Sequence, residues 1–344
     1  MAIDPSSRTE SAFDVLRVTG PSALLQAVPY LLGFHPRSSL VVVGLRDGQL
    51  VVTIRLGLED VPEPLVVSRA IRAMARGGAS ELIGVLYDDP EVAGGVRRSH
   101  QEVVACLGES ARRAGCTLLD ALAVSAGSWR SVFCTDPGCC PAGGHRIAAE
   151  TSTFAAAATF AGMVALPDRE ALAHTLDPLP DSERARLGPL IAAEENAAVE
   201  AVLNARAGSL ERSATRAILA AARAADALPD NAERLEDSEI ARFGVALSSY
   251  TVRDPVWMAA DSGRVDGRRV WMELARRLPS PYDAAPLFLT AWCSWRAGNG
   301  AVAAIAAQRA VDSDPAYRAA NLLLDALANG VDPRRVPRLR LPGT

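Results

Sequence analysis

The stretch SLVVVGLRDGQLVVTIRL, residues 39–56, restricts the fold more than any other part of the chain. Two runs rich in Val, Ile and Leu are separated by Arg-Asp-Gly, and Asp47-Gly48 is a favoured pair for a two-residue hairpin turn. Runs joined that tightly pair as antiparallel neighbours, so a sheet must form around them. Upstream, SALLQAVPYLLG (22–33) carries Leu24, Leu25, Val28, Leu31 and Leu32 at three- and four-residue spacing. That spacing predicts a helix, kinked at Pro29 and closed by Gly33. Downstream, PLVVSRAIRAMARG (64–77) and residues 98–114 predict helices, while ELIGVLYDD (81–89) and LLDALAVSAG (118–127) predict strands. A turn at Gly127-Ser128 then leads into a further strand, WRSVFC (129–134). Helical connections make 81–87 and 118–126 run parallel to 49–56. The expectation is an α/β domain: a mixed β-sheet covered by helices.

After the loop CTDPGCCPAGGHR the pattern turns helical: TSTFAAAATFAGMVA, then 181–206, 209–227, 237–249, 266–278, 284–298, 300–313 and 316–329. Pro, Gly and Asp punctuate these segments. Taking Pro315 as the closing proline of a ~34-residue helix-turn-helix unit puts Leu287, Ala291, Ala303, Ala307 and Ala310 on packing positions. The helical part is therefore expected to be an all-α domain with repeat-like (TPR-like) helix pairs. The layout read from the chain is a disordered N-terminus over 1–13, a sheet domain over 14–165 with a cysteine loop at 134–145, a helical domain over 166–333 and a disordered tail over 334–344.

Composition excludes several chemistries. All 36 basic residues are arginine, which removes any P-loop, Schiff-base or kinase-type lysine. No G-x-G-x-x-G, G-x-x-x-x-G-K or G-x-S-x-G frame occurs. A net charge of -4 recommends neither nucleic acid nor an anionic membrane as a partner. The N-terminus lacks the basic-then-apolar pattern of a secretion signal, and no run approaches the ~18 apolar residues of a membrane span. The expected location is cytoplasmic, with the six cysteines reduced or metal-bound.

Two places could hold chemistry. The corner LLGFHPRSSLVVVGL puts His35, Arg37, Ser38 and Ser39 before the first strand, and Asp88-Asp89 ends a later one. The strand directions gather all six at the carboxyl end of the parallel strands, where ligands bind in open α/β sheets. Arg37 offers a fork for carboxylate or phosphate, and Asp88 or Asp89 could hold a cation or a ribose. The competing reading is a helix stop, a turn and a strand end.

The second place is Cys134, Cys139, Cys140 and His145, spaced C-x4-C-C-x4-H. Soft thiolates with an imidazole are a zinc ligand set. Adjacent cysteines, however, point in divergent directions, and a rigid Pro/Gly turn with packed thiols fits the same residues. By strand direction this loop belongs at the other end of the sheet from His35. Cys106, Cys116 and Cys293 sit in apolar contexts and read as core. His100 and His174 lack a metal-ligand partner one helical turn on, and Trp292 and Trp295 read as a packing ridge.

LLGFHPRSSLVVVGL, WRSVFCTDPGCCPAGG and AWCSWRAGNGAVAAIAAQRAVDSDPAYRAANLLLDAL together resemble the actinobacterial family DUF4192, a domain of unknown function. The resemblance runs from about residue 14 to 333. It implies a bacterial protein, and it carries no activity, cofactor or catalytic residue with it. The expected function is a non-catalytic ligand-binding or regulatory module, with a small anionic ligand at the Ser38/Asp88 end and a protein partner on the C-terminal helices. The alternatives are a metal-assisted hydrolase or transferase using Asp88 or Asp89 with Arg37, and a structural zinc protein.

Overall fold

The computed structural model describes residues 20–58, 64–88, 99–147, 158–159, 163–227 and 235–339. Contacts divide the chain into two units, Met1–Leu172 and Ala173–Thr344. The first is built on a six-stranded mixed sheet, order β2-β1-β3-β4-β5-β6. Its strands are β1 (Ser39–Arg46), β2 (Gln49–Gly57), β3 (Glu81–Tyr87), β4 (Thr117–Ser125), β5 (Ser128–Ser131) and β6 (His145–Arg146). The hairpin forms where the sequence places it, with Asp47 at φ 51° and Gly48 at φ 73°. Both central residues of the turn are left-handed, so its twist matches that of the flanking strands. β1 is antiparallel to both neighbours, and β3 runs parallel to β4. The parallel relation expected among the second, third and fourth strands is therefore present.

Helices α1 (Gly20–Leu32), α2 (Pro64–Gly77) and α3 (His100–Ala114) belong to this unit. Ser99 caps α3 in a reciprocal pair with Glu102. On one sheet face Leu40, Val42, Leu82 and Leu86 pack with Ile71 and Met74 of α2 and Leu107 of α3. On the other, Val41, Val43, Val85 and Leu122 are also buried, so neither face of the central strands meets water. Such strands read as continuous apolar runs rather than alternating ones. A bulge leaves Leu119 unpaired between Leu118 and Asp120, which shifts the side-chain phase of β4 by one residue.

The second unit is helical. It contains α4 (Arg169–His174, across the division), α5 (Asp181–Arg184), α6 (Gly188–Leu203), α7 (Ala207–Ala227), α8 (Asp237–Leu247), α9 (Tyr250–Asp261), α10 (Arg268–Arg277), α11 (Ala284–Arg296), α12 (Gly300–Ser313) and α13 (Arg318–Ala328). The predicted 181–206 helix is broken by a 3-10 turn at Ala185–Leu187. The predicted helix around TSTFAAAATFAGMVA lies mostly outside the described residues. Helix α9 was not predicted. Pro255 inside it removes a backbone donor and argues locally for a break, but Val252, Val256 and Ala259 are buried on the unit's core. Leu287, Ala291, Ala303, Ala307 and Ala310 are all buried, as the helix-pair reading of α11 and α12 requires. One such pair does not establish a repeat.

A buried ion pair organises the end of this unit. The Asp261 side chain has 0% exposure and that of Arg296 has 9%. Asp261 accepts from Arg296 Nε at 2.6 Å, Trp292 Nε1 at 2.9 Å and the Leu339 amide at 2.7 Å. Arg296 also donates to the carbonyls of Pro333, Val336 and Pro337, fixing the segment after α13.

Two stability effects follow. Removing one partner of a buried pair leaves the other charge uncompensated, so Asp261→Ala should cost about 3–5 kcal/mol in urea unfolding. At Gly44, a Cβ would lie 2.8 Å from the Cβ of Ala79 and 3.0 Å from Met74 and Val52 atoms. The Ala79 atom has no rotamer to escape through, so Gly44→Ala should lower stability by about 1–3 kcal/mol, read from the same unfolding curves.

Candidate metal centre

The cysteine loop begins where β5 leaves the sheet. The Ser131 hydroxyl donates to Asp120 Oδ1 at 2.6 Å and accepts from the amides of Phe133 and Cys134 at 3.2 and 3.3 Å. The bulge at Leu119 sets Asp120 opposite this turn. Asp136 then builds the loop: its Oδ1 accepts from the Gly138 amide at 2.8 Å, while its carbonyl accepts from the amides of Cys139 (3.2 Å) and Cys140 (2.7 Å). This Asp-Pro-Gly turn curls Cys139 and Cys140 back toward Cys134.

The result is a cluster in which the Sγ atoms of Cys134, Cys139 and Cys140 all lie within 4.8 Å of one another. Sulfurs on one tetrahedral zinc, each at 2.3 Å, stand about 3.8 Å apart. A small side-chain adjustment closes the difference. Side chains of adjacent residues point to opposite faces in a strand. Cys139 and Cys140 sit in a turn with both amides on one carbonyl, so the pair converges and neither thiol is left out.

His145, the fourth residue of the sequence motif, is not part of that group. It lies on β6, its ring 4.8 Å from the Trp129 ring across the strand pair, and its Nε2 donates to the Cys139 carbonyl at 2.7 Å. In this position it ties the loop to β6 through the Cys139 carbonyl. The loop leaves the sheet at Ser131, beside Leu122, and returns at His145, beside Trp129. β5 thus leads the chain away from the end of the sheet where Ser39 sits, and the short strand β6 brings it back.

The thiols differ. Cys134 is half-buried and Cys139 exposed. The backbone amide of Asp136, followed by the Cys140 and Cys139 thiols, holds Cys134 below the ordinary thiol range. Cys139, donating to Cys134 and facing its negative charge, is pushed up to about 11. Cys116 and Cys293 are buried, and burial raises both thiols, Cys293 to about 12. Those two are core residues, as their sequence context indicates.

At the corner, Ser39 pairs with Gly57 and with Tyr87, and Tyr87 pairs with Val124. The starts and ends of four strand segments therefore meet at one sheet end, and Ser38, Ser39 and Asp88 share it. Phe34 forms a bridge to Leu166, and the His35 amide donates to the Leu166 carbonyl. His35 and Arg37 are exposed, Ser38 is half-buried at φ 39°, and Ser39 is fully buried. The Ser39 hydroxyl donates to the Arg37 carbonyl at 2.5 Å and accepts from Arg55 Nε at 2.7 Å. Partial burial, then the charge of Arg37, lowers the pKa of His35. Asp88 lies 3.7 Å from His100 Nε2, and Asp89 is outside the described residues. Sequence reasoning missed Arg55 and the pairing of His100 with Asp88. The β1–β2 register brings Arg55 to Ser39, and the start of α3 brings His100 to Asp88.

The fold and the thiol cluster define a protein with a mixed-sheet α/β unit, a helical unit and a cysteine loop on the sheet edge. The chain belongs to the family DUF4192, a domain of unknown function, whose model matches residues 21–334. No curated protein and no solved structure matches it. Among the described residues, no helix is long and apolar enough to cross a membrane.

The two perturbed thiols give a direct test in metal-free protein. The lowered pKa makes Cys134 thiolate at a pH where Cys139 is still protonated, and the thiolate is the nucleophile. Iodoacetamide footprinting by mass spectrometry should label Cys134 before Cys139, with Cys139 catching up only as pH rises toward about 11.

Proposed function

We propose that this protein is a non-catalytic binding protein whose sheet unit is held by one zinc ion on Cys134, Cys139 and Cys140. The observation that carries the reading is the convergence of three sulfurs within 4.8 Å in a loop where Cys139 is exposed. Packing of small apolar groups does not account for an exposed thiol. Three thiolates are a soft ligand set suited to zinc. His145 acts as a positioning residue through the Cys139 carbonyl. Thiolate ligands need a reducing compartment, which supports the cytoplasm as location. Partner binding is assigned to the helical unit.

The corner supports a ligand or a hydrolytic reaction less well. Its buried hydroxyl, Ser39, is occupied by Arg37 and Arg55, and Arg37 is exposed. The Phe34–Ser39 segment serves to end α1 and launch β1.

Elemental analysis of the purified protein tests the proposal. About one zinc per chain is expected, lost in Cys139→Ser and retained in His145→Ala with about 10–100-fold weaker affinity, the usual effect of removing an outer-shell partner. Protein isolated without zinc, whose three loop thiols alkylate at the same rate with and without added zinc, would overturn it.

A further inference from the structure

The helical unit contains a cleft of about 630 Å3, lined by residues of α9, α11 and α13 and the segments flanking α13. That is the size range of small-molecule sites. Trp257, Trp292, Trp295 and Tyr317 contribute to its wall. The rings are locked edge to face: Trp257 stands 4.9 Å from Trp292 at 88°, and Trp292 stands 5.1 Å from Trp295 at 61°. Phe288 backs Trp257 at 4.8 Å and 83°. Such a wall is rigid and apolar, with ring geometry set by their quadrupoles. At the rim, Leu322 is 67% and Val331 38% exposed, leaving apolar surface open to an incoming molecule.

The wall also contains an unanswered donor. Trp292 Nε1 donates to Asp261, and Trp271 Nε1 donates to the Asp266 carbonyl. Trp257 Nε1 is buried with no hydrogen-bond partner among the described residues. A buried donor without an acceptor has lost its water and gained nothing in exchange. Beside it, Arg253 lies over the Tyr317 ring, its carbon 5.5 Å from the centroid. Arg253 holds Asp254 through Nε and one terminal nitrogen. The guanidinium also faces the Tyr317 hydroxyl, and with five N–H donors it keeps donors for a further acceptor. Three charged residues line the cleft: Arg253, Arg318 and Asp314. The Asp314 carboxylate is turned onto the Ala316 amide at 3.0 Å and Arg253 is paired with Asp254, which leaves Arg318 as the lining cation without an ion pair among the described residues.

From these features we infer that the cleft binds a small amphipathic carboxylate. Its carboxylate would accept from Trp257 Nε1 and Arg253, with Arg318 at the mouth, and its apolar body would lie along the indole wall toward Leu322 and Val331. A carboxylate offers a charged oxygen to each donor, whereas a neutral amide offers one uncharged oxygen to both, and bonds to the ionised acceptor are the stronger. The inference is independent of the zinc reading, since every residue it uses lies in the helical unit. It moves the anionic-ligand site from the Ser38/Asp88 end of the sheet to this cleft.

The probe is 3-phenylpropionate, with 3-phenylpropionamide as its uncharged counterpart. The protein has five tryptophans, so labelling with 15N gives a sparse set of indole N–H resonances, and Trp257→Phe assigns the one of interest. Titration of the full-length protein with the acid should shift the Trp257 indole resonance saturably and leave that of Trp129, in the sheet unit, in place. The amide should bind at least about tenfold more weakly, and Arg253→Gln should weaken the acid by a similar factor, about 1.4 kcal/mol. The inference is overturned by an unmoved Trp257 resonance at millimolar acid, or by acid and amide binding equally well to the unaltered protein. The second comparison needs no variant, so a folding defect in Arg253→Gln cannot mask the result.

Discussion

The sheet unit depends on the position of β1 between two strands that both oppose it. Ser39 through Val43 are fully buried, and each residue is fixed twice, once against β2 and once against β3. A slip by one residue on either side would turn every side chain of a two-sided apolar strand into the wrong neighbour's space. Because β2 and β3 flank β1 and share a direction, the chain must cross over β1 between them, and α2 makes that crossing. The close approach of Ala79 to Gly44 is the steric consequence, which accounts for a glycine in the middle of the strand. The same register brings Gly57, Tyr87 and Val124 level with the start of β1. The corner at Phe34–Ser39 is thus a product of sheet geometry before it is anything else.

What the sequence made legible is what local chemistry decides. The Asp47-Gly48 turn, the stop at Gly33 and the apolar runs of β1 to β4 are each settled within a few residues, and each appears where those residues put it. The elements it left out are those that long-range packing decides. Strand β6 is only His145 and Arg146, too short for any periodicity, and it exists because β5 offers an unpaired edge. Helix α9 forms against local propensity because the core takes its Val252–Val256–Ala259 face. The Asp261–Arg296 pair was invisible for the same reason: an aspartate at a helix end and an arginine on another helix are ordinary until both are buried together. The site residues divide along the same line. Cys134, Cys139 and Cys140 could be picked out by type and spacing. That the adjacent pair converges required knowing that Asp136 folds them into a turn.

The helical unit shows how polar groups set the shape of an apolar core. Asp261 accepts from an indole, a guanidinium and a backbone amide, so a carboxylate with no exposure is satisfied on several sides. That network orients Trp292 and, through the edge-to-face contacts, Trp257 and Trp295. The cleft wall is therefore pre-shaped by a buried charge at its back, and pre-shaping lowers the entropy a ligand must supply on binding. Within the same wall the Trp257 N–H has no counterpart of Asp261. Trp257 and Trp292 are alike in packing and differ in hydrogen bonding, and that difference separates a structural indole from one poised toward a ligand.

The cysteine loop poses the opposite problem, a segment with almost nothing to hold it by packing. Phe133 is 50% exposed, and Pro137, Gly138, Pro141 and Gly143 are exposed as well. No hydrophobic core of its own is available to a loop of this composition. Small segments in that position are stabilised by cross-links rather than by burial. Among the described residues the loop's own hydrogen bonds run mainly through Ser131, Asp136 and His145, and they bring three sulfurs within 4.8 Å of one another. A disulfide would use two of the three thiols and strand the third, whereas one thiophilic ion would use all three and tie the two ends of the turn together. On that count the metal reading accounts for every cysteine in the loop, and the packing reading accounts for none that is exposed.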